Sequence, residues 1–291
     1  MKKFLISLGI VTITALAANA RCDETFICPS EMHLSGRFSR GLSAITGSNF
    51  LATKTVESIL KNQIKKEAKG NFDVNLQSYS LPDLKAGRFK SLEITGENVV
   101  ADNIYLSRLT LKTLCDYNYI SYNAKNKTAI FKEDFGMAFS TSITEEDLNN
   151  TMNSNGYKEL IAEINSIGKN YNLFKISEAK AEFKDNKFLY VFKVVIPILN
   201  LKQNIVISSD INVSNGRLYL YNTKIINDIF SVDLSQMSYI MNNLNPLNFS
   251  LNVLKNKYGT LTVKNAVIKD NRIDIDGTII VLKDMVTQNK E

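Results

Sequence analysis

Residues 81–111 read Leu81-PDLKAGRFKSLEITGENVVADNIYLSRLT-Leu111. The stretch opens on a Pro-centred turn and a loop carrying Lys85, Arg88 and Lys90. It then alternates apolar and polar residues for about twenty positions, the period of a half-buried strand, broken once by Asp102-Asn103. Asp-Asn tolerates the positive φ that tight hairpin turns require. The stretch therefore predicts two antiparallel strands joined by a two-residue turn. A side-chain parity shift between Leu106 and Leu109 predicts a bulge that turns Leu109 and Leu111 to the opposite face.

The same grammar recurs at Phe183–Val191 around Asp185-Asn186, at Val213–Leu220 around Asn215-Gly216, and at Ile268–Ile275 around Asp270-Asn271. A fifth hairpin is expected within residues 119–131. The turns are unequally spaced, so the chain is not a solenoid.

Helical periodicity adds three elements. From Lys54 to Gly70, Val56, Ile59, Leu60 and Ile64 form one stripe, with Lys61, Lys65, Lys66 and Lys69 on the other face. Thr144 is a candidate cap for an acidic first turn (Glu145, Glu146, Asp147), and helical spacing resumes through Leu160, Ile161, Ile164 and Ile167. Leu234, Met237, Met241 and Leu244 share one face of a helix that ends at Asn245-Pro246. One-sided helices must cover something apolar. The expected fold class is α+β: a long, curved, mostly antiparallel β-sheet with about three amphipathic helices.

The first twenty residues place Lys2 and Lys3 before an apolar run that closes on Ala18-Asn19-Ala20, the layout of a secretory signal. Residues 1–20 are expected to be removed on export to the periplasm or cell envelope; an uncleaved anchor is the alternative. Residues 21–49 are polar and Gly/Ser-rich and are expected to form a loosely ordered leader. A single domain is expected over residues 50–285, with a polar tail at 286–291. The formal charge is +6, of which Lys2 and Lys3 supply two units; the remaining lysines are scattered among acids. That pattern argues against a nucleic-acid groove and for a peripheral attraction to anionic membrane surfaces.

Cys22 and Cys28 could close a small disulfide loop in an oxidising compartment, leaving Cys115 as a buried thiol, although spacing alone does not decide connectivity. With His33 the one histidine and no cysteine pair at ligand spacing, no metal site is expected. No nucleophile elbow, phosphate loop or dinucleotide fingerprint occurs, so no cofactor and no enzyme activity are expected. A carboxylate pair, drawn from Glu145, Glu146 and Asp147 or from Asp274 and Asp276, keeps a hydrolase acting on a lipid-linked substrate open as an alternative. Capping of a helix's first turn and solvation of a strand already explain these acids without catalysis.

A sheet curled around its apolar face can enclose a groove for acyl chains. The residues expected to line it are Leu92, Ile94, Ile104, Leu106, Phe139, Phe192, Ile205 and Ile207, with Lys85, Arg88 and Lys90 at a phosphate head group. A filled core without ligand is the competing reading; an outer-membrane barrel fits less well because one-sided helices interrupt the strands.

From Val56 to Val281 the order of features resembles the LmeA family of cell-envelope phospholipid-binding proteins. The similarity is carried by the helix containing Glu57, by LPDLKAGRFKSLEITGENV, and by MAFSTSITEEDLN at 137–149. It continues through the strand pairs from Ile196 and from Leu244 onward. The resemblance implies a tubular lipid-binding architecture and a phospholipid ligand, possessing no fixed catalytic set to carry over.

Overall fold

The structure is a computed structural model and describes residues 26–31, 34–36, 48–123, 128–170, 175–196, 201–226, 244–255 and 259–283. Its secondary structure is mostly β, arranged as three antiparallel sheets rather than the one long curved sheet expected. The strands are β1 (Ala68–Gln77), β2 (Arg88–Phe89), β3 (Ser91–Ala101), β4 (Ile104–Thr113), β5 (Asn118–Asn123), β6 (Thr128–Phe131) and β7 (Phe135–Thr144). After two helices come β8 (Lys175–Lys184), β9 (Lys187–Ile196), β10 (Leu201–Ser214) and β11 (Arg217–Ile225), then β12 (Gly259–Lys269) and β13 (Arg272–Val281). The large sheet has the order β1-β3-β4-β7-β13-β12; β11-β10-β9-β8 form a second, and β2-β5-β6 a third. Among the described residues there are five α-helices rather than three: α1 (Ser48–Glu67), α2 (Leu81–Lys85), α3 (Glu145–Met152), α4 (Asn155–Asn170) and α5 (Pro246–Ser250).

The hairpins form where the turn dipeptides place them. Asp102-Asn103, Asp185-Asn186, Asn215-Gly216 and Asp270-Asn271 all have positive φ, between 50° and 69°. β5 pairs with β6 as the fifth hairpin. The single-sheet expectation fails on long-range pairing. β7 pairs with both β4 and β13, which closes six strands into one layer. The helical segment α3–α4 then carries the chain to a second layer, where β8–β11 meander on their own.

α3 begins with the expected cap. Thr144 Oγ1 accepts from the Asp147 N–H (3.2 Å) while Asp147 Oδ2 accepts from the Thr144 N–H (2.9 Å), a reciprocal capping box. Leu148 and Met152 are buried in the main core. Leu234, Met237 and Met241 lie outside the described residues; Leu244 is fully buried.

α1 departs from its expected stripe. Val56, Leu60 and Ile64 are half-buried, but Ile59 is 53 % exposed. The most buried positions are Thr53 and Glu57, because the helix runs along the edge of the sheet instead of lying flat on it. Glu57 Oε1 accepts the Leu76 N–H of edge strand β1 at 2.9 Å, and its other oxygen takes Lys54 Nζ at 2.7 Å. Three other outer strands are covered in the same manner. Asn149 Oδ1 and Nδ2 bond the Ala181 N–H and C=O of β8, and Asn165 does the same at Ile176. Asn248 Nδ2 donates to the Leu218 C=O of β11 (3.1 Å), and the Gly216 C=O accepts the Val263 N–H of β12 (2.8 Å).

The described parts of the leader bond to the rest of the protein. Cys28 is bonded to Cys115, across 87 residues, and not to Cys22, which lies outside the described residues. Cys115 is therefore a disulfide partner and not the buried thiol expected. Folding brings the end of β4 beside the leader, a proximity that residue spacing does not encode. The Phe26 ring lies against Gly136, where a Cβ would stand 2.7 Å from it. Ser35 binds Asp83 through its N–H (2.8 Å) and its hydroxyl (2.6 Å).

Candidate functional site

Register decides which apolar residues stand together. Across the inner face of the large sheet, Val74, Ile94, Leu111, Phe139, Gly277 and Val263 lie side by side from β1 to β12. The next row towards the strand ends holds Leu76, Leu92, Met137, Ile279 and Leu261, with Thr113 in the β4 place accepting the Leu92 N–H at 3.1 Å.

These rows lie where two buried clusters meet, Phe139 and Val263 belonging to the larger and Leu76 to the smaller. The larger is shared with the second sheet and contains Leu106, Ile143, Tyr190, Ile207 and Ile273. The smaller contains Leu76, Phe89, Phe135 and Val281. Between them Leu92, Ile94, Leu111, Met137, Leu261 and Ile279 remain half-buried, a belt of apolar side chains crossing the sheet. From β3 to β12 it spans four strand spacings, about 19 Å. α1 bridges the clusters at one side: Val56 joins the smaller, Ile64 the larger, and Leu60 between them is half-buried.

The eight expected lining residues divide. Ile104, Leu106, Phe139, Phe192 and Ile207 sit in the larger cluster at 5 % exposure or less, packed against other side chains. Phe139 lies over Gly277, where a Cβ would come within 2.5 Å of its ring. Leu92 and Ile94 belong to the belt, and Ile205 is half-buried on β10. Leu109 and Leu111 do not turn to the opposite face; both pack with the same cluster as Leu106. Asn98, at φ +51°, lies opposite Ser107, and the irregular step there resets parity in both strands together. Leu111, Met137, Leu261 and Ile279 were missed because membership in the belt depends on strand order.

The basic corner is also divided. Arg88 faces inward, 3.3 Å from Asp83 and over the Tyr119 ring at 5.8 Å. Lys90 is exposed over the Tyr79 ring at 5.3 Å, and Lys85 is exposed at the end of α2. Burial alone would raise the Asp83 pKa, but hydrogen bonds from Ser35 and Ser80 and the Arg88 charge hold it below the usual carboxylate value.

Three of the acidic candidates have structural partners. Glu145 Oε2 accepts the Phe183 N–H (3.3 Å), Asp147 belongs to the capping box, and Asp274 accepts the Ser142 hydroxyl at 2.5 Å. Asp274 and Asp276 alternate with the core positions Ile273 and Ile275, so they face away from the belt. The six belt side chains carry no group that transfers a proton, and what they offer an apolar ligand is burial, worth about 0.8 kcal/mol per methylene covered. His33 lies outside the described residues, and no group of potential metal ligands occurs among those described. No described helix is long and apolar enough to cross a membrane. No family model, curated protein or solved structure matches the chain.

Proposed function

We propose that this is an exported phospholipid-binding protein of the bacterial cell envelope, a carrier or chaperone that holds acyl chains along the apolar belt and catalyses no reaction. The reading rests on the belt itself: six half-buried apolar side chains aligned across five strands, where two buried clusters meet. Acyl chains ask for apolar walls and few polar contacts, which is what those positions offer. The signal-like segment at 1–20 and the resemblance to the LmeA family support the same reading.

Organic extraction and mass spectrometry of the purified protein test it, with stoichiometric phospholipid as the expected result. Leu111→Trp narrows the middle of the belt and should lower bound lipid severalfold while thermal unfolding stays cooperative. Protein that purifies without lipid and takes none from vesicles defeats the proposal, as does a folded Leu111→Trp variant with full occupancy.

A further inference from the structure

The described residues leave nine large apolar side chains exposed. Five of them, Ile27, Phe50, Leu51, Leu114 and Leu282, belong to one end of the large sheet. The strand register defines that end: Gln77 pairs with Ser91, Thr113 with Met137 and Val281 with Phe135. Leu114 follows the last residue of β4 and Leu282 the last of β13. Ile27 is held there by the Cys28–Cys115 disulfide, since Cys115 also follows β4. Phe50 and Leu51 open α1 one turn before Thr53, whose hydroxyl meets Ser78 just past β1 (3.2 Å). Exposure is high, 81 % at Ile27 and 68 % at Leu51.

Charge at this end favours an anionic partner. Lys85 and Lys90 are exposed here, Lys90 donating its N–H to the Gln77 C=O, and no described carboxylate pairs with either. Three nearby carboxylates are engaged by the protein, and a fourth, Asp116, is exposed beside Tyr79. Glu133 pairs with Lys283 at 3.7 Å, Asp134 accepts the Lys283 N–H at 2.9 Å, and Glu31 accepts the Tyr79 hydroxyl at 3.2 Å.

We infer that this rim is the surface by which the protein seats itself on an anionic lipid bilayer. The five apolar side chains enter the interfacial layer, while Lys85 and Lys90 meet lipid phosphates. The choice of a bilayer as partner rests on the lipid-binding reading above; the placement of the surface does not. Seated this way, the β3 and β7 parts of the belt, Leu92 and Met137, lie one row behind the membrane-facing end.

The chain contains no tryptophan, so single substitutions report without background. Phe50→Trp, Leu114→Trp and Leu282→Trp report on the rim, and Ile226→Trp and Val267→Trp on exposed apolar positions elsewhere. On vesicles of phosphatidylcholine with phosphatidylglycerol, the rim tryptophans should shift to the blue. Brominated acyl chains should quench them several times more strongly than the comparison positions. Lys85→Glu with Lys90→Glu, in the Phe50→Trp background, should weaken binding to those vesicles by about tenfold. It should leave pure phosphatidylcholine unchanged. Rim reporters no more protected than the comparison positions, or a charge-reversed variant with unaltered affinity, overturn the inference. Lipid extraction from the same preparations separates the two readings. Lipid-loaded protein with silent rim reporters sinks the rim alone, whereas responsive reporters on lipid-free protein sink the belt alone.

Discussion

Replacing Asp83 with alanine should cost the protein about 3–5 kcal/mol, the range for breaking a buried ion pair at one partner. Asp83 has no exposed surface. Its carboxylate accepts from Ser35 N–H (2.8 Å), Ser35 Oγ (2.6 Å) and Ser80 Oγ (2.5 Å), and it faces Arg88 at 3.3 Å. The variant leaves a guanidinium with 15 % side-chain exposure without its counter-ion, and two hydroxyls without their acceptor. For a domain of this size the melting temperature should fall by roughly 10 °C. Urea denaturation of Asp83→Ala, Arg88→Met and the apolar double variant Asp83→Leu/Arg88→Met measures the coupling. The double variant should recover much of the single-variant loss, because two apolar groups leave no buried charge behind. A loss below about 1 kcal/mol for Asp83→Ala, or a double variant that simply adds the two losses, refutes the reasoning. The acid limb provides a second readout. The folded carboxyl titrates below its ordinary 3.8, so its stabilisation is complete above that value. It is lost as pH falls from there through the folded pKa, and this dependence should vanish in Asp83→Ala.

Reducing the Cys28–Cys115 bond, or substituting both cysteines with serine, should lower stability by about 2–4 kcal/mol, because the closed loop is long. Chemical denaturation with and without reductant measures this, and equal stabilities would contradict the pairing. At alkaline pH, burial raises the pKa of both Tyr157 and Tyr190, whose hydroxyls meet each other. Tyr157 also donates to the Leu244 C=O at 2.5 Å. A raised folded pKa means the contribution is complete below the ordinary 10.0 and is lost as pH rises above it. Tyr157→Phe/Tyr190→Phe should therefore unfold less steeply above pH 10, and identical alkaline profiles would exclude this pair as the cause.

What could be read from the chain followed the range of the interactions involved. The Asp-Asn and Asn-Gly turns act over four residues and form hairpins where alternating segments flank them, so β3–β4, β8–β9, β10–β11 and β12–β13 were all legible, whereas Asn155-Gly156, followed by helical spacing, opens α4. Thr144 and Asp147 are equally local, and their cap formed as read. The number of sheets was not legible, because the pairings of β4 with β7 and of β7 with β13 join segments whose alternation suits many partners. Ile59 illustrates the same limit in a helix. Periodicity showed where a stripe lies, but the edge position of α1 left only part of that stripe covered. The candidate site suffered most. Alternation identified Ile94 and Phe139 as inward-facing, yet only the packing of rings over Gly277 separates a filled position from a half-open one.

The side chains that sit on the outer strands have a consequence for association. An unpaired strand invites another chain to continue the sheet, and a protein with two large sheets carries four such invitations. Here Glu57 answers on β1, Asn149 and Asn165 on β8, Asn248 on β11, and the Gly216 turn on β12. Each is a carboxylate, an amide or a peptide group standing where a neighbouring strand would bond. Their helices and turns thus work as guards against polymerisation, and a local loss of α1 would do more than loosen a helix. It would uncover the outer N–H and C=O groups of β1 and leave them as a template for strand addition.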